Sequence, residues 1–287
     1  FFASGELNPN ITPEAIEELK AIYGLDKPLY IQFFSWIYSI LQLDFGISFT
    51  SGEKVKEEIL SRIPITLTIN IVSMILIFII SLYFGIKSAM KKNSIFDRFT
   101  NQLSLLSFSM PSFYLALVLV LVFSIKFELF PIAGLHSVPN DGSLNYYLDF
   151  AWHLTLPIFI IVFGGIGSLI LYIRALTIEI LKSDYIFFAR ARGLDNKKIL
   201  RYYILPNLYP PVITLLGLSL PGIIGGSVIL ETIFSIDGMG LLFYQSALSH
   251  DYPVIMGILI IGAFLTLIGN MFADLILLKL NPNYNEK

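Results

Sequence analysis

Residues 184–207 read DYIFFARARGLDNKKILRYYILPN. The stretch carries Arg190, Arg192, Lys197, Lys198 and Arg201, and it is interrupted by Gly193 and Pro206. On either side lie the apolar runs Leu154–Ile173 and Val212–Leu230. Each run is long enough for the roughly 20 helical residues that cross ~30 Å of hydrocarbon. A basic segment between two such runs reads as the inner-face loop of a polytopic membrane protein.

The composition agrees. Charged residues make up 14% of the 287-residue chain, hydrophobic residues make up 55%, and the mean hydropathy is +0.75. A soluble domain carries about 25% charge, so the excess apolar surface here needs lipid to face. The net charge of −2 says little by itself, and no feature points to nucleic acid as a partner. With no cysteine, disulfides, thiolate metal sites and cysteine nucleophiles are excluded.

Working outward, three further runs are long enough to span: Ile65–Ile86, Leu103–Ile125 and Val254–Leu278. The loop after Ile65–Ile86 carries Lys87, Lys91, Lys92 and Arg98, and the loop after Leu154–Ile173 carries Arg174, Lys182 and the basic residues named above. The loop Lys126–His153 holds a single lysine, and Glu231–Pro253 has neither Lys nor Arg. The positive-inside rule then places residues 1–63 outside and the C-terminus in the cytoplasm. An external segment of that size implies a preceding span, of which Phe1-Phe2-Ala3 is read as the tail. The expectation is an all-α protein of six spans, five of them visible. Residues 1–63 form an extracytoplasmic segment and 64–287 a transmembrane domain with an inner segment at 182–207. Within 1–63, Thr12 and Pro13 open a short surface helix. Ile31–Leu43 is too short to span and reads as interfacial.

Enzymatic signals are absent. No phosphate-binding Gly-x-x-x-x-Gly-Lys-Ser/Thr loop occurs, so neither ATP nor Mg is expected to bind this chain. His136, His153 and His250 fall in the expected outer loops without zinc spacing. They read as solvated or interface residues, and no metal site is expected. The cores of the spans hold no Asp, Glu, Lys, Arg or His, which argues against a proton relay or a charged filter. An ion-coupled carrier and a non-transport scaffold nevertheless stay open as alternatives.

Small and kinking residues recur inside the spans: Ser109 with Pro111, Pro157 with Gly164, and Pro221 with Gly225 and Gly226. Each alone is ordinary helix packing, but together they suit a gated, water-lined path. In the basic segment Gly193 permits a sharp turn, and Pro206 is expected to end one element before the next span.

The same segment resembles the cytoplasmic coupling motif of permeases of binding-protein-dependent ABC importers. Ala189, Gly193, Leu205 and Pro206 match the spacing of that motif, while Phe187, Phe188 and Tyr203 depart from it. Those departures resemble the dipeptide/oligopeptide/nickel branch, for which Asp184-Tyr185, Ala189-Arg190-Ala191-Arg192, Gly193-Leu194 and Leu205-Pro206-Asn207 stand in place. Gly24–Leu29, Asp44–Ser48, Ser109-x-Pro111-x-Phe113, Glu231-x-x-Phe234, Gly238-x-Gly240 and Asp251-Tyr252-Pro253 extend the likeness over nearly the whole chain.

The resemblance implies the six-helix type I importer permease fold in a bacterial or archaeal plasma membrane. The expected partners are a second related permease, two ATPase subunits that bind ATP and Mg, an extracytoplasmic solute-binding protein, and lipid. The cargo would be a peptide, nickel or a metal chelate. By this likeness residues 184–207 couple to the ATPases, with Ala189, Ala191 and Gly193 buried in their groove. Glu231, Asp237, Gly238 and Asp251 are expected on the surface that docks the binding protein.

Overall fold

The computed structural model describes residues 27–219 and 228–280. Pro221, Gly225 and Gly226, the Thr12–Pro13 helix start, and the Gly24–Asp26 motif residues lie outside that range. The helices among the described residues are α1 (Leu29–Leu41), α2 (Val55–Met90), α3 (Ile95–Ser109), α4 (Ser112–Leu119), α5 (Leu144–Leu181), α6 (Asp184–Ala191), α7 (Asn196–Ile199), α8 (Leu205–Ser219), α9 (Val228–Ile233), α10 (Met239–Ser249) and α11 (Tyr252–Leu280). Two π-helical stretches, Val120–Lys126 and Leu200–Ile204, continue α4 and join α7 to α8.

The contacts divide the chain into two units. The first takes in Phe1–Ser61 and Phe243–Ile260, and the second Arg62–Leu242 and Ile261–Lys287. The boundary thus falls within α2, and a stretch that the sequence reading kept with the membrane domain joins the first unit. In that unit α1 buries none of its residues, as an interfacial helix would. Val55, Ile59 and Val254 are fully buried. Asp251, itself buried, accepts from Ser48 Oγ at 2.6 Å and from the Thr50 amide at 3.1 Å.

In the second unit, α2 and α5 contain 36 and 38 residues, about 54 and 57 Å of helix. Both are long and apolar enough to cross a membrane, as is Tyr252–Phe272 of α11. Two apolar clusters sit at opposite ends of α2. One gathers Ile65, Ile69, Leu154, Ile160, Leu230 and Phe234; the other gathers Phe78, Ile86, Ile173, Ile186, Ile204 and Leu208. Ile65 and Ile86 lie about 30 Å apart along the helix, matching the hydrocarbon thickness.

The second expected span, Leu103–Ile125, is not one straight crossing. The chain bends by 99° between α3 and the α4 segment. Met110 is extended (φ −89°, ψ 119°) because the following Pro111 excludes it from the α region. The fourth expected span, Val212–Leu230, includes residues 220–227 and is described only at its flanks, α8 and α9.

The buried face of α3 is polar, with Asp97, Thr100, Ser104 and Ser107 inward, while Leu105, Leu106 and Phe108 are exposed. Such inverted amphipathicity suits a helix whose outer face meets lipid. Gly167 on α5 allows the close approach: a Cβ there would lie 2.5 Å from the Ser104 carbonyl oxygen.

Candidate functional site

The basic segment folds as a short helix, a tight turn and a second helical stretch. Asp184–Ala191 is helical, and Gly193 follows its C-cap with φ +78°. The Gly193 amide donates to the Arg190 carbonyl (2.9 Å) and the Leu194 amide to the Ala189 carbonyl (3.2 Å). Those two bonds make a Schellman stop, which favours glycine because an L side chain is strained there. Asp195 then caps α7, accepting from the Lys198 amide at 3.0 Å.

The inner face of this foot is apolar. Ile186, Ala189, Ile199 and Ile204 are buried, and all but Ala189 belong to the cluster with Ile86 of α2 and Ile173 of α5. Leu194 and Leu205 pack against the same cluster. Ala189 is therefore not free for a partner's groove, contrary to the sequence expectation. Ile186 and Ala189 stand three apart and share the inward face of α6. The outward face carries Tyr185, Phe187, Phe188, Arg190, Ala191, Arg192 and Gly193. Phe187 and Phe188 are 69% and 63% exposed, and a Cβ on Gly193 would meet nothing within 4 Å. The two phenylalanines thus stand adjacent and exposed in a basic surround.

Pro206 corrects a second expectation. It does not end an element but lies in the first turn of α8. The π-helical turn before it carries the Leu205 amide back to Leu200, so the chain stays helical through the proline. Asn207 is exposed and donates to the Tyr203 carbonyl at 2.6 Å.

The break between α3 and α4 lines a cavity of about 380 Å³ with Asn70, Ser107, Met110, Ser112, Ile160 and Gly164 around it. Ser109 and Pro111 are exposed at the bend, and Pro157 is buried in α5. Of the expected path residues that are described, only Gly164 lines this cavity directly. Its neighbours Gly165 and Gly167 serve packing, against Ile77 and Ser104.

The expected docking residues divide sharply. Asp237 has 63% of its side chain exposed and accepts from Arg62 Nε at 2.8 Å. Glu231, Gly238 and Asp251 are buried, so they are not surface groups. Glu231 accepts from the Leu241 amide (3.0 Å) and from Thr66 Oγ1 (3.1 Å), and Thr66 in turn accepts from the Met239 amide (2.9 Å). The carboxylate holds the start of α10, where unpaired amides favour negative charge. Burial pushes the Glu231 carboxyl up from its ordinary value, and the Asp237 charge adds to that; hydrogen bonds from Leu241, Thr66 and Gly240 oppose them. At Asp251 burial also pushes upward, but bonds from Ser48, Phe49 and Thr50 outweigh it and leave the carboxyl lowered.

Two side-chain groups escape sequence reading altogether. Arg174 grips Asp97 with two bonds, Nε at 2.7 Å and Nη2 at 2.9 Å. His153 is not a solvated loop residue: it is buried in α5, with Nδ1 2.8 Å from the Asp149 carbonyl and Nε2 3.1 Å from Ser137 Oγ. His136 lies 3.7 Å from the same Asp149 carboxylate, its ring stacked on Tyr146. Among the described residues no group of His, Asp and Glu has the arrangement to hold a metal ion.

Residues 81–286 match the family described as binding-protein-dependent transport system inner membrane component. The chain is 36% identical over 277 residues to the oligopeptide transport system permease protein AppB of Bacillus subtilis strain 168, covering 96% of this chain and 87% of that one. It is 32% identical over 278 residues to the metal-staphylopine import system permease protein CntB of Staphylococcus aureus, covering 97% and 85%. It is also 33% identical over 276 residues to the dipeptide transport system permease protein DppB of Lactococcus lactis, covering 96% and 87%. A chain of the inward-facing MetNI methionine ABC transporter shares the fold, with a TM-score of 0.61 at 17% identity, over 77% of this chain and 95% of that one.

Proposed function

Because this chain belongs to the family of binding-protein-dependent transport system inner membrane components and is an ABC importer permease, we propose that it passes short peptides, or peptide-like metal chelates, inward across the membrane. The observation that carries the cargo class is its similarity, along nearly its full length, to permeases named for oligopeptide, dipeptide and metal-staphylopine import. The cavity beside the α3–α4 break has only Asn70, Ser107 and Ser112 as polar side chains. Few fixed polar groups make a permissive path, so cargo choice falls to an extracytoplasmic binding protein.

In this reading the chain works with a second permease and two ATPase subunits, which supply the ATP and Mg sites and all hydrolysis. Residues 1–63 and the loop around Asp237 face outward, and residues 184–207 and the C-terminus face the cytoplasm. The outward face of α6, led by Phe187, Phe188, Ala191 and Gly193, seats in the ATPase. Nucleotide-driven closure of the ATPases then moves α6 and, through it, the membrane helices, giving alternating access.

Proteoliposomes holding the four-subunit complex, given binding protein and labelled dipeptide, oligopeptide or metal–metallophore cargo, test this directly. Uptake is expected to require internal ATP and to be indifferent to an imposed ion gradient. Uptake that followed the ion gradient without ATP would refute it.

A further inference from the structure

We propose that the Asp97–Arg174 pair is the joint through which movement of α6 reaches the helices around the cavity, making both side chains positioning residues for transport. The inference rests on the reading of residues 184–207 as the ATPase contact. Helix α5 runs unbroken to Leu181, and only Lys182 and Ser183 separate it from α6. Ser183 ties that junction down, its hydroxyl donating to the Ile180 carbonyl at 2.6 Å. A push on α6 is therefore delivered to the end of α5.

Between apolar helices in lipid, packing alone resists sliding and rotation weakly. At Arg174 the situation differs. Its planar fork meets both oxygens of the Asp97 carboxylate, a geometry that resists rotation as well as translation. Asp97 also accepts from Ser88 of α2, from the Asn93 amide in the α2–α3 turn at 2.8 Å and from Asn101 of α3 at 3.0 Å. One buried carboxylate thus gathers α2, α3 and α5. The backbones close up at the same level: a Cβ on Gly85 of α2 would lie 2.8 Å from Ile173 Cγ2, one residue from Arg174. From Asp97, α3 continues about 18 Å to the break at Met110–Pro111 that bounds the cavity. A turn of α5 accordingly carries α3 and re-aims the break.

A pair that merely stapled the fold would behave differently from a joint. Removing one partner leaves a buried charge, whereas removing both charges together is often neutral for stability. The double variant Asp97→Asn/Arg174→Gln should therefore assemble and hydrolyse ATP, yet its ratio of cargo transported to ATP hydrolysed should fall at least tenfold. Arg174→Lys keeps the charge but loses one prong, and it should lower the same ratio at least threefold while leaving complex yield unchanged. It also supplies the reading should the double variant fail to reach the membrane. A wild-type ratio in the variant that assembles overturns the proposal. If instead a label at Phe187 never reaches an ATPase subunit in a complex that hydrolyses ATP, the reading of residues 184–207 fails, so the two failures are told apart.

Discussion

Gly193→Trp is expected to cut cargo uptake at least tenfold while membrane insertion and complex yield stay normal. Gly193 adopts φ +78° to close the Schellman turn after α6. Any L side chain there adds strain of about 1–2 kcal/mol, which a packed membrane protein can absorb. Within the chain a Cβ at this position has no heavy atom within 4 Å, so the side chain starts into open space. An indole would instead project from the outward face beside Phe187 and Phe188, into the space assigned to the ATPase. ATP hydrolysis should continue but lose its dependence on binding protein and cargo. Gly193→Asn is the informative companion, since Asn tolerates this backbone region and is small; it should retain most uptake. Wild-type uptake by the Trp variant, measured in proteoliposomes, would show that this face is unoccupied.

Glu231→Ala should be the most damaging single substitution for stability. It strands the Leu241 amide and the Thr66 hydroxyl, both bonded to the carboxylate, and opens a void in a site that is 3% exposed. Unsatisfied buried donors and the cavity together cost about 3–5 kcal/mol. Glu231→Gln keeps the shape and an acceptor oxygen, so its cost should be about 1 kcal/mol. Gly238→Ala attacks the same site from the other side, as its Cβ would lie 2.6 Å from both Glu231 Oε2 and Thr66 Oγ1. Thermal unfolding of the purified complex should rank the three as Ala at 231, Ala at 238, then Gln at 231. Equal melting temperatures for Glu231→Ala and wild type would remove the carboxylate from this role.

What could be read from the chain was what local pattern dictates. The apolar runs within α2, α5 and α11 announce themselves by length, the bend by Pro111, and the turn after α6 by Gly193. The errors came where a face or a distant partner decides the outcome. Ala189 matches a coupling motif, but only the fold shows that it shares an inward face with Ile186. The signal was present in their spacing of three. Glu231 and Asp251, in an acidic loop free of Lys and Arg, are expected on the docking surface; each is instead buried and satisfied by amides and hydroxyls. Pro206 was read as a stop, whereas a π turn accommodates its missing amide. Arg174 and Asp97 lie 77 residues apart, and Thr66 and Glu231 lie 165 apart. No spacing rule links residues so far apart in sequence. His153 and Asp149 are the opposite case, four apart on α5, a spacing that does place two residues side by side on a helix.

One proximity measurement decides whether the outward face of α6 sits against an ATPase. The chain has no native cysteine, so Phe187→Cys carrying a benzophenone label gives a single reporter on that face. Tyr147→Cys, on an exposed position near the other end of α5, serves as the control. Irradiation of the assembled, membrane-embedded complex should join the label at 187 to an ATPase subunit and the label at 147 to none. Capture of lipid alone at 187, in a complex that still hydrolyses ATP, would show that no ATPase seats on α6.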